Sequence, residues 1–310
     1  MPLIISLYAA WASMFTVGKL ALSHSTPLFF TGSRLLFSGL LILLFLIFSK
    51  KHSLKITKKQ ILPLLLLAIL GMYLTNFLEY WGMQHVSAGK ASFIYSLTPF
   101  FAAIFSYLHF KEKMTQKKWL GMLIGFAGVV PAMFIATGSE KILGGIGIFS
   151  WPEIALIGAT LFSVYGWVLL RLLVKDNSLS PLVANSLTML LGGVLALIHS
   201  FVSDGWTPIP IKAGHMEGFI NTLFITTFVS NIVCFNLYGY LLKKYTATFL
   251  SFVGLLCPFF ASLSEWIILK QPPSLIILGS SLIIMFGLWI VYQEELKQGY
   301  IQKSKKAQHA

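Results

Sequence analysis

The chain has 310 residues, of which 56% are hydrophobic and only 11% charged, and its mean hydropathy is +0.80. A soluble domain carries roughly 25% charged residues, so this composition excludes a water-facing globule and requires lipid as solvent. The formal net charge of +13 could suggest nucleic acid, but the lysines fall in short clusters between apolar runs, as Lys50-Lys51, Lys117-Lys118, Lys243-Lys244 and Lys303-Ser304-Lys305-Lys306. That is the placement membrane orientation requires.

A bilayer core of about 30 Å takes about 20 helical residues to cross. Apolar runs of that order fall at 3–22, 27–48, 61–83, 91–109, 119–136, 151–173, 181–202, 218–242, 246–269 and 274–292. The first opens Met-Pro-Leu-Ile-Ile, without the basic region of a cleaved signal peptide, and is expected as a retained span. None of the runs alternates with period two, so helices rather than barrel strands are expected. Cys234 and Cys257, the only cysteines, both lie inside apolar runs, which supports neither a disulfide framework nor a zinc site.

Orientation follows from the basic residues. With the N-terminus cytoplasmic, inner loops and tail hold 17 lysines and arginines and outer loops 4, leaving Lys19 and Arg34 inside the membrane. Both termini are therefore expected in the cytoplasm.

The chain also matches itself. Shifted by 159 residues, Ala88 falls on Ala247, Ser92-Phe93 on Ser251-Phe252, Pro99-Phe100-Phe101-Ala102 on Pro258-Phe259-Phe260-Ala261, Lys111 on Lys270 and Gly128 on Gly287. Each half holds five spans, an odd number, so the second half must be inverted. The expected fold is an all-α integral membrane protein of ten helices: a first repeat over 1–136, an inverted second repeat over 150–292, and a basic cytoplasmic tail over 293–310. Inverted repeats are the architecture of secondary transporters, with the substrate near the midplane where the repeats meet. A channel, a flippase, or a membrane enzyme or other lipid-handling protein are the competing readings. The last would need a reactive cluster at one interface, and the sequence offers no nucleophile–base pair, metal cluster or Gly-rich phosphate loop. No catalytic residue, cofactor or metal ligand is expected.

Trp11, Phe15, Lys19, Pro27 and Arg34, then Ser87-Ala88 leading to Pro99, then Lys111-Glu112-Lys113 with Gly121, Gly125 and Gly128, form a pattern that resembles the drug/metabolite transporter superfamily in its EamA-type ten-helix branch. Ser251-Phe252, Pro258 and the run to Gly287 continue it in the second half, although Gln271 replaces the acidic counterpart of Glu112. The resemblance implies alternating access around a central cavity, with amino acids, sugars, nucleotides and drugs all among the cargoes of such folds. The short N-terminus and lysine-rich inner loops are also similar to the S-adenosylmethionine/S-adenosylhomocysteine carriers of obligate intracellular bacteria. Exchange of those two metabolites is the leading expectation, and proton-coupled export of an amino acid or drug is the alternative.

Charges inside a membrane default to function, which singles out Lys19, Arg34, Glu79 and Glu265. The cations would hold a substrate carboxylate, and the glutamates an amino group or other cation. The competing structural reading has Lys19 reaching the interface and Arg34 paired with Glu79. Glu265 maps onto Ser106 and Glu79 onto Tyr238, so both acids break the repeat symmetry. Polar stripes add Asn231 and Tyr238 in the eighth span. Trp11, Phe15, Tyr80, Tyr95, Tyr165 and Trp167 are the aromatics available to stack on a purine or face a cation. Pro99 and Pro258 are expected to kink the fourth and ninth helices on opposite sides of the cavity.

Overall fold

The computed structural model describes residues 2–49, 55–86, 91, 94–135, 145–146, 149–175, 179–257, 259–260, 263 and 275–300. The expectations for Pro258 and Glu265 lie outside these residues, and so do most of the tail and the side chain of Phe15.

Among the described residues the main helical elements are α1 (Pro2–Ala21), α2 (Pro27–Ser49), α3 (Lys58–Met83), α4 (Thr98–Phe110), α5 (Gln116–Ile135), α6 (Trp151–Val174), α7 (Pro181–Gly205), α8 (Met216–Leu241), α9 (Ala247–Leu256) and α10 (Leu275–Lys297). Six of them, α1, α2, α3, α6, α7 and α8, are long and apolar enough to cross a membrane. A two-residue antiparallel pair, β1 (Gly145–Ile146) with β2 (Phe149–Ser150), precedes α6. The protein is an all-α membrane protein. α10 runs to Lys297, past the expected end at 292, because Glu295 is wholly buried against α5 and α9.

Two features interrupt the helices where apolar periodicity gives no warning. α3 opens into a π segment over Leu67–Leu74, and α8 does the same over Thr226–Cys234. The two segments begin 159 residues apart (226 − 67), the spacing of the sequence repeat. π turns inside α-helices concentrate at functional sites. The fourth helix is not kinked at Pro99 but broken before it. Helix at Ile94–Tyr95 gives way to a turn at Ser96–Leu97, and Pro99 occupies the first turn of α4. There its missing N–H costs nothing, because first-turn donors have no intrahelical acceptor. At the position equivalent to this turn, α9 tightens into a 3₁₀ turn over Gly254–Leu256.

α2 lies along α7, and α5 along α10. Close approach explains the glycines that the family pattern shares. A β-carbon on Gly287 of α10 would sit 2.5 Å from the Gly121 carbonyl oxygen and 2.8 Å from the Gly125 nitrogen, both backbone atoms that cannot step aside. Small residues provide helix contact in lipid, where no hydrophobic force drives helices together. Gly287→Ala should therefore cost about 1–3 kcal/mol by overpacking and lower the melting temperature in detergent. Gly279→Ala on the same helix meets nothing within 4 Å and should be neutral or slightly stabilising, since Ala is the better helix former. Equal melting temperatures for the two variants would refute the close-packing argument.

Each end of the bundle is tied by polar contacts. At one, the Lys212 backbone nitrogen donates to the His24 carbonyl at 2.9 Å, Thr26 donates to Asp204 at 2.7 Å, and the Nδ1 atoms of His24 and His215 lie 2.9 Å apart. At the other, Arg171 of α6 meets Glu112 of the α4–α5 turn at 2.6 Å, and Lys118 of α5 meets Glu295 at 2.9 Å. Burial pushes the Glu112 carboxyl above its ordinary range, and the Arg171 guanidinium pulls it the other way.

Candidate functional site

Between these ends lies a cavity with about 180 Å³ open to water. Its walls come from α1, α3 and the α4 break on one side of the sequence and from α6, α8 and α9 on the other, with α2 contributing Arg34. Under the 159-residue shift of the sequence α3 falls on α8, and the α4 break on the end of α9. The broken backbone of the fourth helix lines it through Tyr95, Ser96 and Thr98, and the 3₁₀ turn of α9 through Gly254 and Leu255. Irregular backbone at membrane depth is tolerated where it lines such a cavity.

One part of the wall is aromatic. The Trp167 ring lies 4.2 Å from that of Tyr238 and 5.0 Å from that of Phe235, and Trp11 stands 5.5–5.7 Å from all three. All but the closer Trp167–Tyr238 contact fall within the usual range of favourable aromatic pairing. Tyr8 extends the cluster from α1, and its hydroxyl donates to the Leu250 carbonyl at 2.5 Å.

Another part is charged. Arg34 is 4% exposed, and its Nη2 donates to the Asn76 side-chain oxygen. Its guanidinium carbon lies 5.4 Å from the centre of the Tyr80 ring and 5.9 Å from that of Phe30. Its Nε is buried and, among the described residues, has no hydrogen-bond partner. Glu79, one turn beyond Asn76 on α3, accepts a 2.7 Å hydrogen bond from the Tyr95 hydroxyl. Arg34 thus bonds to a neutral amide and Glu79 to a phenol. The direct Arg34–Glu79 pairing weighed from sequence is not the arrangement found.

Of the residues singled out from sequence, Trp11, Arg34, Glu79, Tyr95, Trp167 and Tyr238 converge on this cavity, as does Tyr80. Two do not. Lys19 is exposed on α1, outside the lining. Asn231 is fully buried between helices, where its amide donates to Ser38 at 2.8 Å and bonds α8 to α2. Tyr165 packs instead on Phe105 and His109. Sequence reading missed Asn76, Thr75 and Tyr8, although Tyr8 precedes Trp11 by one turn and Asn76 precedes Glu79 by one turn, a helical spacing that would have marked them.

A bundle with a central cavity walled by both halves of the chain, containing one acid and one base and, among the described residues, no cluster of three or more metal-ligating side chains, has the form of a small-molecule carrier. The EamA-like transporter family matches residues 1–134 and again 150–293. The chain belongs to that family, and it is a transporter rather than an enzyme. It is 38% identical over 298 residues to the S-adenosylmethionine/S-adenosylhomocysteine transporter of Chlamydia trachomatis serovar L2, covering 95% of this chain and 89% of that one. To the transporter of the same description from Chlamydia muridarum it is 35% identical over 302 residues, covering 95% and 92%. A solved crystal structure superposes with a TM-score of 0.72 over 96% of both chains at 15% identity, which supports the fold alone.

Proposed function

We propose that this chain is a secondary transporter that exchanges S-adenosylmethionine for S-adenosylhomocysteine by alternating access. Full-length identity of 38% to a carrier of that description supports the reading most directly. The chemistry of the cavity agrees with it. S-adenosylmethionine presents a sulfonium cation and an adenine, and S-adenosylhomocysteine a neutral thioether on the same frame. Aromatic faces attract cations, also make favourable contacts with neutral sulfur, and stack on a purine. The Trp11–Trp167–Phe235–Tyr238 cluster can therefore serve both molecules.

The proposal includes two inverted repeats, 1–136 and 150–292, in a bacterial inner membrane with both termini cytoplasmic. The coincident spacing of the π segments supports the repeat, and the 17-to-4 division of basic residues supports the orientation. A metabolite is the only partner proposed besides lipid.

The test is counterflow. Proteoliposomes loaded with unlabelled S-adenosylhomocysteine should take up labelled S-adenosylmethionine faster than empty ones, and faster than ones loaded with a bulky drug or a simple amino acid. Uptake that ignores the internal S-adenosylhomocysteine would overturn the exchange.

A further inference from the structure

Arg34 presents an unusual balance sheet for a buried cation. Among the described residues it contacts one neutral amide and two aromatic faces, and its Nε has no hydrogen-bond partner, although it lines a cavity and is 4% exposed. Its charge is near that of Glu79 but, among the described residues, makes no direct ion pair with it, so the guanidinium keeps donor capacity that a ligand anion can take up. Beside it Glu79 offers a carboxylate whose side-chain hydrogen bond comes from Tyr95. Asn76 and Glu79 are three residues apart on α3, a separation of about 5 Å along one helix face. The guanidinium held by Asn76 and the carboxylate of Glu79 thus stand about one turn apart, facing the same space.

We infer that Arg34, held by Asn76, and Glu79 form a clamp for an α-amino-acid group, with the ligand's carboxylate on Arg34 and its ammonium on Glu79. An α-amino acid carries its two charges on neighbouring substituents of one carbon, so it can answer both side chains at once. The planar guanidinium fork matches a carboxylate. This inference rests on the proposed substrate pair, whose two members share that amino-acid end. It assigns the ligand's orientation: amino-acid end to Arg34 and Glu79, nucleoside end to the aromatic cluster. The clamp contributes equally to the methylated and demethylated molecules, as an exchanger needs, and it disfavours nucleosides that lack an amino-acid tail.

Competition in the counterflow assay tests it with four unlabelled compounds. They are S-adenosylhomocysteine, its decarboxylated analogue, its deaminated analogue, and methylthioadenosine, which lacks both groups. Hydrogen bonds to charged groups predict that wild-type protein favours the full molecule over each truncated one by about ten- to a hundredfold. Arg34→Gln should abolish the preference over the decarboxylated analogue. Glu79→Gln, which keeps the shape, should abolish the preference over the deaminated one. Should Arg34→Gln fail to reach the membrane, Arg34→Lys decides the point: affinity for S-adenosylhomocysteine should fall while that for methylthioadenosine holds. Equal losses for all four compounds in these variants would overturn the clamp and leave Arg34 and Glu79 as supports of the fold. If wild-type protein ignores every thioadenosine but carries labelled free methionine into methionine-loaded vesicles in an Arg34- and Glu79-dependent way, the clamp stands and the proposed substrate falls. If free methionine is also ignored, both fall.

Discussion

Exchange of S-adenosylmethionine for S-adenosylhomocysteine should shift about fiftyfold in equilibrium for every 100 mV of membrane potential. At neutral pH the first molecule carries a sulfonium, an ammonium and a carboxylate, a net charge of +1. The second has lost the sulfonium charge and is a neutral zwitterion. One-for-one exchange therefore moves one elementary charge per cycle, worth about 2.3 kcal/mol per 100 mV. With a tenfold change in equilibrium for every ~1.4 kcal/mol, that is a factor of about fifty. The Arg34 and Glu79 side chains travel with neither substrate, so they cancel between the two half-cycles. Potassium gradients with valinomycin set the potential, and the steady-state ratio of labelled S-adenosylmethionine reports the outcome. An inside-negative potential should favour entry of the cation. A ratio indifferent to potential would mean that a compensating ion moves with the exchange, and the simple one-for-one scheme would fail.

What the sequence disclosed depended on how local each signal was. Lipid exposure is a property of whole runs of residues, so the helical segments could be placed from hydropathy. Part of the aromatic cluster was legible too, because Trp11, Trp167 and Tyr238 are large groups inside apolar spans. Positions that depend on helix rotation were harder. Asn231 and Tyr238 share one polar stripe in the sequence, yet Tyr238 and the adjacent Ser230 line the cavity while Asn231 turns to Ser38 of α2. Adjacent helical residues differ by about 100° in direction, and the π segment at Thr226–Cys234 alters the rotation further. Pattern matching at 3.6 residues per turn assumes a regular helix and cannot register such an insertion. Asn76 is different: it lies with Glu79 in the regular helix beyond the π segment of α3, so the one-turn spacing between them was legible. Pro99 marked the right place but the wrong geometry, since a proline serves a helix start as well as a kink. Lys19 illustrates a separate limit: near a helix end a long stem reaches the interface, so its charge alone did not indicate a site.

Removing Lys118 should unfold the protein far more readily than removing Lys118 and Glu295 together. The two side chains meet at 2.9 Å with neither exposed to solvent, and the Thr246 hydroxyl hydrogen-bonds both Glu295 oxygens at 2.7–2.9 Å. The contact joins α5, α9 and α10 at the end of the bundle that also holds the Glu112–Arg171 pair. Breaking a buried ion pair on one side costs about 3–5 kcal/mol, because the surviving charge keeps its desolvation penalty and loses its partner. Lys118→Met should therefore reduce the folded-to-unfolded ratio by about two to four orders of magnitude. Substituting both partners with apolar residues of similar size is often neutral or stabilising, so Lys118→Met with Glu295→Met should recover most of the loss. Thermal unfolding in detergent measures both, and a single variant as stable as the wild type, or a double variant no better than the single, would contradict the argument. Counterflow by the folded double variant then separates two roles that stability alone cannot. Wild-type exchange rates would make the pair a packing element. Altered rates at intact affinity would mean that the charges also set the relative energies of the two access states, because an ion pair that must open during the cycle contributes to its barrier and an apolar pair of the same shape does not contribute equally.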